Sequence, residues 1–174
     1  MCSNSAINKD IHQSIRIKIG SEFIDMPLYN HIVCAIDLTE DSNLVIQRAL
    51  RLASHDSSRL DLVHACEHPI TGYGEQSGKS HKVTEIQIRQ SVFPQLEAFA
   101  NRFGIHSEQL HIEFGRSADV IHALAERLGA DLIVIGSHGR SGIRLLLGST
   151  ANSVVHGASC DVLTVRVQAK TEKC

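Results

Sequence analysis

Gly136, Gly139, Gly148, Ser149 and Thr150 have the types and spacing to hold an anion. Gly136-Ser137-His138-Gly139 leaves the apolar run Asp131–Ile135, and Gly148-Ser149-Thr150 opens the next helical stretch. Glycine lets a backbone approach an anion closely and adopt positive φ. The first N–H groups of a helix lack intrahelical acceptors and lie at the positive end of its dipole. Ser149 and Thr150 add hydroxyl donors, and Arg140 and Arg144 add positive charge between them and Gly139. The chemistry this supports is phosphate binding. The plain alternative is a turn at Gly136 and Gly139 and a helix entry at Gly148. A second candidate is Asp37, the acid that ends the apolar run Asn30–Asp37. It either faces a ligand or serves as a turn or helix-start acid.

These residues need a frame that brings them to one place. From Leu28 the chain alternates short apolar runs with helical periodicity. Asn30–Asp37, Arg59–Cys66, Gln109–Phe114, Asp131–Ile135 and Cys160–Val167 read as strands. Between the first two, Leu44, Val45, Ala49, Leu52 and Ala53 recur at helical spacing after the start signals Thr39 to Ser42. A helix over 81–103 carries Pro94, which is expected to kink or split it, and ends at Gly104. Ser117 is read as the cap of a helix that buries Val120, Ile121, Leu124, Ala125 and Leu128. A short helix follows over 150–156. This order predicts an α/β fold: a three-layer open sheet of five parallel strands with helices on both faces. In such a sheet ligands bind beyond the carboxyl ends of the strands, where strand order reverses. Both candidate segments lie at such ends.

Other chemistries fail on spacing. A phosphate loop of the G-x-x-x-x-G-K-[ST] type, ending at Gly78-Lys79-Ser80, needs its first glycine where Tyr73 stands. That segment reads as a loop flanking the pocket. Eleven histidines invite a metal, but His64 and His68 do not share a helix face and no H-E-x-x-H occurs. His138 alone lies in the glycine loop, where shaping the loop is its expected role. No G-x-S-x-G elbow marks a nucleophile. A phosphoacceptor receiver would need an Asp where Phe114-Gly115-Arg116 ends the third strand.

A net charge of −2 gives no broad basic surface for nucleic acid or membranes. No run approaches a membrane span, and the first residues lack a secretory apolar core. Five scattered cysteines without a C-x-x-C argue for a reducing compartment, so a cytoplasmic location is expected. Residues 1–27 are polar and are expected to be a poorly ordered leader, with Ile15–Ile19 as an edge strand or amphipathic arm. Met1 and Met26 are alternative starts. The expected domain spans 28–168, with a tail over 169–174.

The segment from Gly136 to Val167, with the opening HIVCAIDLTEDS and the strand LDLVHAC, resembles the universal stress protein family. The likeness covers about Leu28 to Val167 and implies an adenine-nucleotide alpha-hydrolase-like fold. In the nucleotide-binding branch the glycine motif reads Gly, two residues, Gly, nine residues, Gly, then Ser or Thr. Here eight residues separate Gly139 from Gly148. The resemblance implies ATP, with or without Mg²⁺, as the ligand. Asp37 would sit by ribose or phosphates, Ala65 would contact adenine through its backbone, and Gly136, Gly139, Gly148 and Ser149 would hold ribose and phosphates, with Thr150 beside them. It implies a binding module with little or no turnover. A nucleotide-free interaction module of the same fold and a slow ATPase are the alternatives. It also implies a homodimer paired through the last strand, which a charge at Val165 is expected to weaken.

Overall fold

Short apolar runs bounded by turn signals fit the strands of a sheet covered on both faces. The structure is a computed structural model of the 174-residue chain and describes residues 14–19, 22–53, 59–66, 84–137 and 148–167. Strands β1 (Ser14–Ile19) and β2 (Glu22–Pro27) pair antiparallel as a sheet of their own. Ile15–Ile19 is therefore a strand, paired with its neighbour in sequence and not with the main sheet. The rest of the expected leader, residues 1–13, 20 and 21, lies outside the described residues.

The main sheet contains β3 (His31–Ala35), β4 (Arg59–Cys66), β5 (Leu110–Phe114), β6 (Leu132–Gly136) and β7 (Asp161–Val165). All neighbours are parallel, in the order β5-β4-β3-β6-β7. Helices α1 (Ser42–Leu52), α2 (Glu85–Phe103), α3 (Ser117–Leu128) and α4 (Ser149–Gly157) connect them. Alternation along β3 divides the core. Ile32 and Cys34 face Val45 and Ile46 of α1 and Leu96 and Phe99 of α2. Val33 and Ala35 face Ile121 and Leu124 of α3 and Val154 of α4. The expected three-layer architecture is the one observed.

Three details correct the sequence reading. Pro94 does not split α2, which runs unbroken for 19 residues. Leu96, Phe99 and Ala100, just after the proline, are buried against the sheet and hold the helix there. Its start is fixed by Thr84, which accepts from the Gln87 N–H while the Gln87 side chain accepts from the Thr84 N–H, a reciprocal cap. Ser117 is the first helical residue of α3 and not its cap; Arg116 precedes it without a capping side-chain bond. Val165 is buried in the core, so a charge there disrupts the fold and does not report on an interface.

Helices α3 and α4 interlock through one histidine. His122 donates from Nε2 to the Val154 carbonyl at 2.9 Å, and its ring lies against Gly157. A Cβ on Gly157 would come within 2.5 Å of the His122 ring. The ring must then swing away and give up its bond. Gly157→Ala is expected to cost about 1 kcal/mol, the worth of that hydrogen bond. A urea midpoint that falls at unchanged slope would show it; an unchanged midpoint would mean the ring moves without loss.

At the amino ends of β3, β4 and β5 a carboxylate is buried inside the sheet layer. Asp61 has no exposed side-chain surface. His31 Nε2 lies 2.7 Å from its Oδ2, His111 Nε2 lies 2.8 Å from its Oδ1, and Arg59 Nε donates to Oδ2 at 2.9 Å. Burial alone would push this carboxyl up. The hydrogen bonds from His111, His31 and Arg59 outweigh it and hold the group below the ordinary carboxylate range. Nearby, Asp131 ties the start of β3 to β6 by accepting the N–H groups of Asn30 at 2.8 Å and His31 at 3.0 Å.

Candidate functional site

The strand order places β3 between β4 and β6, and the chain leaves β3 and β6 toward opposite faces of the sheet. A crevice must open between their carboxyl ends. A cavity of about 400 Å³ lies there. Asp37, Ala65, Gly136, Gly148, Ser149 and Thr150 all line it. Gly139, His138, Arg140 and Arg144 lie outside the described residues, so the structure brings six of the seven expected residues together.

Asp37 is at once a turn acid and a wall of the cavity. Its Oδ1 accepts from the Thr39 N–H at 3.0 Å, the Thr39 Oγ1 at 2.7 Å and the Ser42 Oγ at 2.9 Å. The bend between strand and turn is made at Leu38, whose φ is +62°. Positive φ in a leucine is strained by about 1–2 kcal/mol. The three bonds to Asp37 and the packing of Leu38 against the core hold it there. Such strain clusters at ligand sites, and nothing in the residue type Leu announces it.

The glycine loop is anchored at both ends. Ser137 N–H donates to the Val165 carbonyl at 2.8 Å, and Gly148 N–H donates to the Ser137 carbonyl at 2.7 Å. Gly148 is therefore delivered to the end of β6 even though eight residues, not nine, separate it from Gly139. Neither Gly136 nor Gly148 has positive φ; Gly148 sits at φ −55°, ψ 150°. The conformational reason for glycine does not apply at these two positions, and close approach of the backbone is the reason that remains. The first intrahelical bond of α4 runs from the Asn152 N–H to the Gly148 carbonyl at 2.8 Å. The N–H groups of Ser149, Thr150 and Ala151 precede it and have no acceptor within the helix. Among the described residues no side chain caps this end. Ser149 and Thr150 are exposed, so their hydroxyls and amides are accessible to an anion.

Three wall residues escaped the sequence reading as site residues. Ser42, buried, opens α1 as its helix-start reading expects, and it also orients Asp37. Asp41 puts a second carboxylate on the same cavity. His64 lines it too and holds the Ile36 carbonyl through Nδ1 at 2.8 Å. Its position at a strand's carboxyl end was the available signal. Among the described residues no group of three or more His, Cys, Asp or Glu is placed to hold a metal ion. No helix among them is long and apolar enough to cross a membrane.

Residues 28–166 match the universal stress protein family. Universal stress protein A homolog 1 of Coxiella burnetii is 39% identical over 138 residues, covering 79% of this chain and 96% of the relative. Its homolog 2 from the same organism is 37% identical over 145 residues, covering 82% and 99%. A solved universal stress protein in complex with cAMP superposes with a TM-score of 0.57 at 24% identity, covering 79% of this chain and 97% of its own.

Proposed function

The chain belongs to the universal stress protein family, and from that premise we propose that it binds an adenine nucleotide, ATP with or without Mg²⁺, in the cavity at the carboxyl ends of β3 and β6. One observation carries this reading. The free N–H groups and hydroxyls that open α4 share a single cavity with Asp37 and Ala65. Phosphates lie against Gly148, Ser149 and Thr150, with Gly136 and Gly139 beside the ribose and phosphates, and adenine lies along Ala65. The cAMP complex of a relative supports the ligand class. Phosphates facing Asp37 and Asp41 need a cation between them, and carboxylate oxygens suit Mg²⁺.

The same reading makes the protein a binding module with little turnover. Asp37 already has Oδ1 committed to three hydrogen bonds that serve the turn, so that oxygen is engaged in structure. It acts as a homodimer joined through β7, an outer strand of the sheet whose far edge has no partner among the described residues. Among the described residues Cys34, Cys66 and Cys160 carry free thiols, and burial pushes the Cys34 thiol far up and makes it inert. Native mass spectrometry of gently purified protein tests ligand and assembly together. Dimers carrying the added mass of an adenine nucleotide are expected. Bare monomers at micromolar concentration would contradict both readings.

A further inference from the structure

At the fork where β3 and β4 part, a side chain meets the backbone of the neighbouring strand. In the parallel register Cys34 faces Leu62 and Ala35 faces Val63, so Ile36 comes next to His64. The Ile36 N–H donates to the Val63 carbonyl at 3.0 Å. The following rung of a parallel ladder would run from the Ala65 N–H to the Ile36 carbonyl. Among the described residues that carbonyl receives the His64 imidazole instead, Nδ1 to oxygen at 2.8 Å. A carbonyl only accepts, so Nδ1 carries the proton. Strand β3 ends at Ala35, one residue before this contact.

The Ala65 amide has no other strand to turn to. Backbone groups of successive strand residues point to alternate neighbours. Val63 and Ala65 point toward β3, whereas Cys66 points toward β5 and accepts from the Gly115 N–H at 2.9 Å. The N–H and C=O of Ala65 are therefore directed into the cavity that Ala65 and His64 line. One donor and one acceptor side by side match adenine, which presents an amino donor beside a ring-nitrogen acceptor. Guanine presents a carbonyl acceptor beside a ring N–H, the opposite order.

We propose that His64 is the positioning residue of the base site: by occupying the Ile36 carbonyl it keeps the Ala65 amide unzipped from the sheet and available to an adenine edge. This rests on the nucleotide reading of the cavity, but it makes a separate demand on the ligand-free protein. A β-branched apolar residue at 64 has no donor for Ile36, so the ladder closes by one rung and takes the Ala65 N–H. An asparagine at 64 has a side-chain N–H at nearly the reach of Nδ1 and keeps the fork open.

Amide exchange at Ala65, followed by NMR in the full chain, reads the fork directly. Wild type without ligand is expected to exchange at Ala65 at least about tenfold faster than His64→Val, with His64→Asn close to wild type. Titration with Mg²⁺-ATP is expected to show His64→Val weakened at least about tenfold and less selective for ATP over GTP, and His64→Asn within about threefold of wild type. If wild type binds no ATP, the nucleotide reading fails, and the exchange contrast still decides the role of His64. A protected Ala65 amide in ligand-free wild type overturns the inference even if His64→Val does not fold. So does a His64→Asn protein that behaves like His64→Val.

Discussion

Asp61→Ala is expected to destabilise the protein by about 3–5 kcal/mol, the usual result of removing one partner from a buried charge cluster. The carboxylate is fully buried and binds His31, His111 and Arg59, which belong to three adjacent strands. Without it, their N–H groups lose the acceptor they share. Asp61→Asn keeps the volume but turns an amide N–H toward donors, so it is expected to lose most of the same stability. On a chain of this size that corresponds to a fall in Tm of roughly 6–20 °C. The pH dependence has a defined sign. The folded carboxyl is held below its ordinary range, so the unfolded chain takes up a proton first as pH falls. The contribution of Asp61 is full above the unfolded value of about 4 and is lost as pH drops from there through the folded value. Urea midpoints of wild type and Asp61→Asn between pH 7 and pH 2 would converge at the acid end. A variant within about 1 kcal/mol of wild type at pH 7 would show that the cluster is structurally neutral.

Gly148→Val is expected to remove nucleotide binding while sparing the fold. Gly148 sits at φ −55°, ψ 150°, a region open to any L-residue. Valine retains the N–H that donates to Ser137. The stability cost should stay within about 1 kcal/mol, as for the loss of a glycine at a helix cap. Binding is another matter. The new side chain stands on the cavity wall next to the free N–H groups of Ser149 and Thr150, where phosphate must come closest. A loss of affinity of at least about tenfold, ~1.4 kcal/mol, is expected from calorimetry.

The sheet was legible because its central strands are buried on both faces and so appear as largely apolar runs bounded by polar turns. Arg59–Cys66 matches its strand residue for residue. Glycine spacing singles out Gly136 and Gly148, and the acid closing an apolar run singles out Asp37, all of which line the cavity. Pairing and conformation were less visible. Ile15–Ile19 alternates like an edge strand, but alternation does not name a partner, and it pairs with Glu22–Pro27. Pro94 signals a break by its missing N–H, yet tertiary packing of Leu96 and Phe99 overrides a local preference. Asp61 hides inside the strand run RLDLVHAC between Leu60 and Leu62, and its partners His31 and His111 lie 30 and 50 positions away. His64 has the same problem: its role depends on where the β3–β4 ladder stops, which no local pattern encodes.

Calorimetric titration of the full chain with Mg²⁺-ATP, wild type beside Gly148→Val, tests the central claim most directly. Saturable binding of one nucleotide per chain to wild type, with Kd below about 1 mM, and none to the variant is the result the cavity predicts. Absence of binding to wild type at near-millimolar ATP would contradict it and leave a nucleotide-free interaction module of the same fold. Equal binding by both proteins would place the nucleotide outside the cavity that Gly148 lines.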